Sequence, residues 1–583
     1  MKTIRIFVLL LFLITGQSIL SQSRPNVVII MTDDMGYGDL GYHGNPQIDT
    51  PALDRFAEES IEFTNFYVSP VCAPTRASLM TGRYSTRTGV YDTYSGGAIM
   101  ATEEITIAEI FQQAQYKTGI FGKWHLGDSY PFRPQDQGFD HSLWHLSGGI
   151  GQVGDVFNYY EKDQSYFDPT LYRNGEIVQT KGYCSDVYTD EAIEFVQSNA
   201  EAPFFMYLSF NAPHTPLQVP EKYLDKYKNK PIDPQYFKDK GLYVHNMSEN
   251  DIEAAKKVYA MVDNIDYNVG RLIESLKKNQ LYDNTILIFL TDNGPQQNRY
   301  TGGFRGRKSM VREGGIHVPF YMKVPPKMSV TDKISTPAAH IDVLPTLAEL
   351  CGVNLPGQAK IDGLSFAQEI KSKNQIVKRP LFFQWQRSYP EKYRNMAVIY
   401  DDYKLIADRD AKSNTDVFEL YHLSQDPFET KDLSSENPEK TQELKNKIDL
   451  WYQDIMSSDH IAETQRIIIG SDQETHTILN RNDAKGLPLI WDQDDIYVKW
   501  DLEIIDQGPY QIKCHFREPL EENGELVVRI GQQHLSKNLT AESTQTIVFD
   551  KVHLNPGKVA LEGWYYVRWK EHHTPFYVEI TKI

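Results

Sequence analysis

Short apolar runs alternate with amphipathic stretches along residues 24–378. The runs lack a period of two, which is typical of strands buried on both faces of a parallel sheet. They lie at residues 27–31, 118–121, 203–210, 285–290 and 318–322. Helical periodicity between them is clearest over residues 250–279, which start acidic and end with Lys277-Lys278. The pattern predicts an α/β body with a mostly parallel sheet sandwiched by helices over residues 24–378.

The pattern changes twice after residue 378. Residues 396–406 and 417–421 are predicted as short strands and residues 438–455 as a helix, which indicates a small α+β subdomain over residues 379–460. Residues 457–475 are polar and turn-rich, as a linker would be. Apolar and polar positions then alternate with a period of two in four segments, namely 496–504, 510–516, 525–530 and 576–583. This alternation predicts a β-sandwich accessory domain over residues 461–583.

The N-terminal residues resemble a targeting segment. Lys2 and Arg5 precede an apolar run at residues 6–14, and Ser21-Gln22-Ser23 offers a cleavage site. This layout predicts a secretory signal peptide over residues 1–23. A membrane anchor is the alternative, but a span needs about 20 apolar residues. We therefore expect an exported protein, periplasmic or secreted, without an integral membrane segment in the mature chain.

Composition narrows the function classes. The chain has 583 residues, of which 40% are hydrophobic and 24% charged, and these values exclude disordered and low-complexity classes. Its formal net charge of −18 argues against binding to nucleic acid, but leaves room for a local basic pocket that holds a small anion. The four cysteines are too few and too scattered for a disulfide scaffold or a zinc framework.

Acidic side chains follow two of the predicted strands. Asp33 and Asp34 come directly after the first strand, and Asp292 and Asn293 follow the strand at residues 285–290. Carboxyl ends of parallel strands share one crevice, so these oxygens are expected to converge. Oxygen ligands favour a hard cation, Ca²⁺ or Mg²⁺, over zinc. Turn caps are the alternative, because Asp and Asn are common where strands end.

Basic side chains follow the other strands. Lys123 and His125 come after residues 118–121, His214 comes after residues 203–210, and Lys308 closes a basic run. Cationic groups beside a metal describe a site for an oxyanion, either sulfate or phosphate. The alternatives are histidines that serve in turns or packing, and a solvated basic loop around Lys308.

The most specific stretch is Ser-Pro-Val-Cys-Ala-Pro-Thr-Arg-Ala-Ser-Leu-Met-Thr-Gly-Arg at residues 69–83. Pro74 suits the first turn of a helix, which places Cys72 at a helix N-terminus. A buried thiol or an ordinary reactive cysteine would be less specific explanations. The spacing Cys-x-Pro-x-Arg, followed by Leu-x-Thr-Gly-Arg, resembles the active-site signature of type I sulfatases of the arylsulfatase family. Over residues 24–455 the chain looks most like exported bacterial polysaccharide sulfatases.

This resemblance implies an alkaline-phosphatase-like fold and a modified cysteine. A separate formylglycine-generating enzyme would convert Cys72 to Cα-formylglycine, whose hydrate is the nucleophile of the family. The implied cofactor is Ca²⁺, with Mg²⁺ less favoured. Its implied ligands are Asp33, Asp34, residue 72, Asp292 and Asn293.

The resemblance also implies catalytic roles. Arg76 and Lys123 match groups that orient the hydrate, and His125 matches the residue that helps to eject sulfate. His214 matches a sulfate-contacting residue that protonates the leaving alcohol, a role that a raised pKa would suit. Lys308 matches the lysine that grips sulfate; Lys123 and His214 are implied to contact it too. Arg307 departs from the family's more usual Gly-Gly-Lys.

The implied activity is hydrolysis of sulfate esters on a sulfated polysaccharide or oligosaccharide. Algal polymers such as ulvan or carrageenan are candidate substrates, and glycosaminoglycans are the alternative. Two other functions stay open: a phosphatase or phosphonate monoester hydrolase of the same fold, and a catalytically inactive glycan-binding protein. Residues 128–181 are predicted as aromatic loops near the cleft. The tryptophans of the β-sandwich are core residues or a sugar platform, and they are Trp491, Trp500, Trp564 and Trp569.

Overall fold

The computed structural model of the chain describes residues 24–583 except 162, 358–359, 374–377, 411, 464, 487–492, 541–543 and 568–569. The predicted signal peptide at residues 1–23, together with Trp491 and Trp569, lies outside the described residues. Among the helices that the structure describes, none is both long and apolar enough to cross a bilayer.

A mixed sheet of ten described strands forms the centre of the body. Its five central strands run parallel, and in spatial order they are Thr285–Thr291, Asn26–Thr32, Phe204–Ser209, Lys117–Lys123 and His141–His145. The first three of these strands are buried at every residue, because apolar clusters cover both faces of the sheet. The predicted α/β class and the mostly parallel sheet centre are confirmed.

The edges of this sheet differ from the prediction. Strand Phe320–Lys323 runs antiparallel to Thr285–Thr291. The connection between them, residues 292–319, contains the short helix Glu313–Ile316. Residues 128–181, predicted as loops, supply the strand His141–His145 and two further strands at the opposite edge. The remaining edge strands are Ile61–Phe63, Lys333–Ile334, Thr170–Arg173 and Glu176–Gln179, and a separate short pair is Phe66–Tyr67 with Ala338–Ala339.

Helix Glu249–Lys278 matches the predicted amphipathic stretch. A capping box starts it, since the amide of Asp251 donates to Ser248 Oγ at 3.2 Å and the amide of Ser248 donates to Asp251 Oδ2 at 2.9 Å. The other described helices of the body are Pro51–Glu58, Cys72–Thr81, Ile107–Gln113, Cys184–Ser198, Glu221–Tyr227, Pro234–Asp239, Val343–Cys351 and Ala367–Ser372.

The next part of the chain is a four-stranded antiparallel sheet that packs against helix Pro438–Ile455. The predicted strand at residues 396–406 is two strands, because Asp401 and Asp402 adopt left-handed φ angles of 52° and 63° and reverse the chain. The four strands are Leu381–Gln384, Met396–Tyr400, Tyr403–Arg409 and Asp416–His422.

Two largely antiparallel sheets form the C-terminal part, called here the β domain. One described sheet contains Ile467–Ile469, Lys485–Gly486, Val498–Ile504, Gly524–Ile530, Gln533–Leu539, Gly557–Val567 and Lys570–His573. The other contains His476–Leu479, Gly508–Leu520, Thr544–Leu554 and Tyr577–Lys582.

The β domain confirms the predicted period of two. In strand Val498–Ile504, buried residues alternate with half-buried ones. Trp500 is completely buried and therefore serves the core, while Trp564 is half-buried. Part of the stretch predicted as a linker is ordered, because helix Asp459–Ala462 and strand Ile467–Ile469 lie within residues 457–475.

Candidate functional site

The predicted acidic residues meet at the carboxyl ends of two adjacent parallel strands. Asp33 and Asp34 follow strand Asn26–Thr32, while Asp292 and Asn293 follow its neighbour, and all four side chains are buried. The amide of Asp34 donates to Asp292 Oδ1 at 3.2 Å, and Asn293 Nδ2 donates to Asp34 Oδ1 at 2.7 Å. Pairing of the two strands thus brings distant parts of the sequence into one cluster.

Three oxygens of this cluster are buried and make no hydrogen bond to the described residues. They are Asp33 Oδ1, Asp34 Oδ2 and Asn293 Oδ1. Ligand atoms of Asp33, Cys72 and Asp292 lie within 4.8 Å of one another, as do those of Asp33, Asp34 and His214. Buried acceptors without hydrogen bonds are rare, and an oxygen-rich set of this kind fits a hard divalent cation.

Each carboxylate of the cluster also has a basic partner. Lys123 Nζ lies 2.6 Å from Asp33 Oδ2, and Lys308 Nζ lies 2.7 Å from Asp34 Oδ1. Burial alone would raise the pKa of Asp34, but the charge of Lys308 and the hydrogen bonds from Lys308 and Asn293 lower it well below its usual value. Asp34 is therefore ionised.

Asp292 differs from Asp34 in its surroundings. Arg76 donates to Asp292 Oδ2 from Nε at 3.2 Å and from Nη2 at 2.7 Å, and both side chains are fully buried. Burial first, and the charge of Asp33 second, raise the pKa of Asp292 to about 6. Asp292 is therefore the carboxylate of the cluster best suited to accept a proton near neutral pH.

Cys72 is the first residue of helix Cys72–Thr81, and Pro74 lies in the first turn as predicted. The thiol is 3% exposed. Burial raises its pKa, although the charges of Lys123 and Lys308 act in the opposite direction. An ordinary reactive thiolate is therefore disfavoured at this position.

The two predicted histidines are both hydrogen-bonded to backbone carbonyl groups. His125 has a left-handed φ of 62°, and its Nε2 lies 2.7 Å from the carbonyl oxygen of Thr93. His214 Nε2 lies 3.7 Å from Asp34 Oδ2, while its Nδ1 lies 2.7 Å from the carbonyl oxygen of Thr215. Neighbouring loops thus hold both rings in place.

The pKa of His214 is lowered, whereas a raised pKa would suit the implied acid role. Burial and then the charge of Lys308 lower this pKa to about 3, although the charge of Asp34 acts in the opposite direction. Burial also lowers the pKa of His125 well below its usual value. Both imidazoles are therefore neutral in this structure.

A cavity of about 330 Å³ opens over Cys72, His125, His214 and Lys308. Arg307 also lines it and is exposed, with Nη1 donating to the carbonyl oxygen of Gln296 at 2.8 Å. The departure from the family pattern at residue 307 thus places a guanidinium at the rim of the cavity.

Sequence reasoning missed several residues that line this cavity. Arg387 reaches it from the four-stranded subdomain, with its guanidinium 4.1 Å from the centre of the Tyr94 ring and an ion pair of 2.5 Å to Asp92. Asn482 reaches it from the β domain. No motif marks these residues in the sequence, because they come from separate parts of the chain that only the tertiary fold brings together. Gly148 and Gln152 also line the cavity, and both lie within residues 128–181, which were predicted as loops near the cleft.

Two family models match the chain. Residues 25–353 match the model described as Sulfatase, and residues 303–454 match the model described as N-sulphoglucosamine sulphohydrolase, C-terminal. An uncharacterised sulfatase of Escherichia coli (strain K12) is 30% identical over 412 residues, which cover 61% of this chain and 67% of the relative. The N-acetylgalactosamine-6-sulfatase of Homo sapiens is 29% identical over 387 residues, covering 62% and 68%.

Solved structures agree with these matches. Ps i-CgsB in complex with k-i-k-neocarrahexaose is 28% identical with a TM-score of 0.64, covering 76% of this chain and 96% of that one. A phosphonate monoester hydrolase of Agrobacterium radiobacter is 18% identical with a TM-score of 0.54, covering 75% and 96%, and this likeness shows the fold alone. The match of the first family model over more than half of the chain, with named sulfatases among its relatives, shows that this protein belongs to the sulfatase family and is a sulfuric ester hydrolase.

Proposed function

We propose that this protein is an exported enzyme that removes sulfate from a sulfated carbohydrate, with a formylglycine made from Cys72 and a bound Ca²⁺. The observation that carries the proposal is the position of Cys72, whose ligand atom lies within 4.8 Å of those of Asp33 and Asp292. A residue at this position reaches both the metal ligands and the cavity.

The described residues fit both implied groups. Asp33, Asp34, Asp292 and Asn293 would hold Ca²⁺, because three of their buried oxygens have no hydrogen-bond donor. When bound, Ca²⁺ would supply positive charge to the sulfate oxygens, and hydrated formylglycine would supply the attacking hydroxyl.

The side chains around this centre are proposed to bind sulfate, to accept a proton and to assist the release of sulfate. Lys308 and Lys123 place two ammonium groups beside the acids, where they would attract the sulfate anion and oppose the charge that develops on it. Asp292 would accept the proton of the attacking hydroxyl, and Arg76 holds this carboxylate in position. His125 would assist the release of sulfate from residue 72.

His214 is proposed to contact sulfate and to protonate the leaving alcohol. Its lowered pKa makes it neutral in this structure. A sulfate ester that binds beside it adds negative charge, which acts on its pKa in the opposite direction to Lys308. Activity would therefore require the substrate to be bound before His214 carries a proton.

The relatives support a sugar sulfate as substrate. One acts on N-acetylgalactosamine-6-sulfate according to its name, and one solved structure holds k-i-k-neocarrahexaose. We propose a sulfated polysaccharide or oligosaccharide for this chain, with ulvan, carrageenan and glycosaminoglycan fragments as the panel to test. Export is proposed on the predicted signal peptide.

The decisive experiment combines mass spectrometry with a variant. Protein co-expressed with a formylglycine-generating enzyme should show the peptide of Cys72 with the mass of formylglycine, and should release sulfate from para-nitrophenyl sulfate and from a member of the panel. Cys72→Ala should fold and lose this activity. Retained activity in Cys72→Ala would contradict the mechanism, and an unmodified thiol in inactive protein would favour a glycan-binding role. Faster turnover of para-nitrophenyl phosphate than of the sulfate would favour the phosphatase alternative.

A further inference from the structure

The β domain inserts a polar segment into the body beside the cavity. This segment, residues 480–483, follows strand His476–Leu479, and each of its four residues is at most 4% exposed. Buried polar side chains cost free energy unless they are hydrogen-bonded, so a fully buried Asn-Arg-Asn-Asp turn requires partners on both sides.

The body provides partners on one side. Asn480 Nδ2 donates to Asp128 Oδ2 at 2.7 Å, and the backbone amide of Asp128 donates to Asp483 Oδ2 at 3.0 Å. The amide of Gly96 donates to the carbonyl oxygen of Asn482 at 3.1 Å. Residues 480–483 are thus bonded to loops that adjoin His125 and the cavity.

The β domain holds the segment on the other side. Arg481 donates to the carbonyl oxygens of Thr574 and Gln493, and Trp500 Nε1 donates to the carbonyl oxygen of Asn480 at 2.7 Å. The amide of Asn482 donates to Asn480 Oδ1 at 2.8 Å, which closes the turn. Hydrogen bonds to both the body and the β domain leave residues 480–483 little freedom to move. Such rigidity suits a residue that must contact a substrate in one position.

Asn482 lies in the wall of the cavity that also contains Cys72 and His214. Ser147 Oγ donates to Asn482 Oδ1 at 3.2 Å, which sets the orientation of the amide. Asn482 Nδ2 donates to Asp483 Oδ1 in a long hydrogen bond of 3.4 Å. The amide nitrogen of Asn482 therefore retains the capacity to donate to a ligand.

We propose that Asn482 is a specificity-determining residue, which donates from Nδ2 to a hydroxyl or ring oxygen of the sugar that carries the scissile sulfate. A neutral donor suits a sugar oxygen, whereas the lysines of the cavity suit the sulfate. The β domain is then part of the substrate site and not a separate binding module. This inference rests on the proposed sulfated-carbohydrate substrate.

The test compares two substrates in the full-length, formylglycine-containing enzyme. The first is the member of the ulvan, carrageenan and glycosaminoglycan panel that wild type desulfates fastest, and the second is para-nitrophenyl sulfate, which lacks a sugar. Asn482→Ala should lower the ratio of the two kcat/KM values about tenfold, mainly by a higher KM for the glycan. Asn538→Ala, an exposed asparagine of the same domain, should leave the ratio unchanged.

An unchanged ratio in Asn482→Ala would overturn the inference, because a merely structural residue would slow both substrates alike. If Asn482→Ala does not fold, Ser147→Ala is tested instead, since it frees the side-chain amide of Asn482 without altering residues 480–483. The ratio of the two kcat/KM values should then be two- to threefold lower than in wild type. An unchanged ratio would again overturn the inference. Wild type that cleaves the aryl sulfate but no glycan of the panel would contradict the proposed substrate class itself, and the inference would fail with it.

Discussion

Arg76 and Asp292 form an ion pair with an Nη2–Oδ2 distance of 2.7 Å, and both side chains are completely inaccessible to solvent. Arg76 also donates from Nη1 to Ser209 Oγ at 2.5 Å and to the carbonyl oxygen of Lys123 at 3.2 Å. The guanidinium therefore connects the helix that begins at Cys72 to three strands of the central sheet, and it balances the negative charge of the acidic cluster.

Removal of this guanidinium should destabilise the protein strongly. Arg76→Ala would leave Asp292 buried without its partner, so we expect a loss of about 3–5 kcal/mol in the free energy of unfolding. This loss is measured by urea denaturation, with tryptophan fluorescence as the signal of unfolding. Arg409→Ala is the matched control, because Arg409 is partly exposed in its 3.4 Å pair with Asp416 and should contribute less than about 1 kcal/mol. Equal losses in the two variants would contradict the assigned role of Arg76.

Removal of the proposed Ca²⁺ should lower both activity and thermal stability. Asp33, Asp34 and Asp292 repel one another without a cation, and a ligand that binds only the folded state raises the Tm. Treatment with EDTA should therefore lower the Tm, and Ca²⁺ should restore it more fully than Mg²⁺.

Asp34→Asn should weaken this response to Ca²⁺, because it removes one negative ligand. Asp472→Asn, at a side chain that is 97% exposed, should respond as wild type does. Differential scanning fluorimetry over a Ca²⁺ titration gives the comparison. A wild-type Tm that changes neither with EDTA nor with Ca²⁺ would contradict the proposed metal site.

The ring of His125 should be sensitive to one added methyl group. A Cβ at Gly148 would lie 2.6 Å from His125 Cε1, so the ring must shift to accommodate it. We expect Gly148→Ala to lower kcat on para-nitrophenyl sulfate about 10- to 100-fold. Gly508→Ala, where the new Cβ meets no atom within 4 Å, should leave kcat unchanged. Normal turnover in Gly148→Ala would argue against a role for the position of His125.

The junction between the body and the β domain should depend on pH. Burial raises the pKa of both Asp128 and Asp483, and the charge of Asp483 raises that of Asp128 further. In the unfolded chain both titrate near about 4. Above this value the folded protein therefore binds more protons than the unfolded chain does. The stability that Asp128 and Asp483 contribute is present below pH about 4 and is lost as pH rises through their folded pKa values.

Thermal unfolding between pH about 4 and pH about 7 tests this dependence. Asp483→Asn should make the change of the Tm with rising pH more positive than in wild type, since an amide does not titrate. Asp163→Asn, at an exposed position, should keep the wild-type slope. A steeper decline in Asp483→Asn than in wild type would contradict the sign of the shift.

A chain that ends at residue 463 should be unstable. Ile99 and Phe132 of the body belong to the apolar core of the β domain, and Ile478 of the β domain belongs to the core beneath the central sheet. Truncation would expose these surfaces and leave Asp128 without Asn480. We expect aggregation and loss of turnover on para-nitrophenyl sulfate, measured by size-exclusion chromatography and by assay. A monomeric, fully active truncated chain would show that the β domain is separable.

Local patterns in the sequence determined the secondary structure of the central strands and the helix at Glu249–Lys278, because buried strands and amphipathic helices have distinct hydrophobic periods. They also indicated the convergence of Asp33 and Asp292, since carboxyl ends of neighbouring parallel strands must meet at one edge. The antiparallel direction of strand Phe320–Lys323 escaped prediction, because the hydrophobic pattern of a buried strand is the same in either direction.

The sequence by itself therefore determined the family, the helix at Cys72 and the acidic and basic residues, all of which depend on short-range order along the chain. Only the tertiary structure decided that Arg387 and Asn482 line the same cavity as Cys72. The three residues are far apart in the sequence, and the fold brings them together. It also decided the protonation of His214, since burial and the neighbouring Lys308 set that pKa and neither can be read from the residues that flank His214.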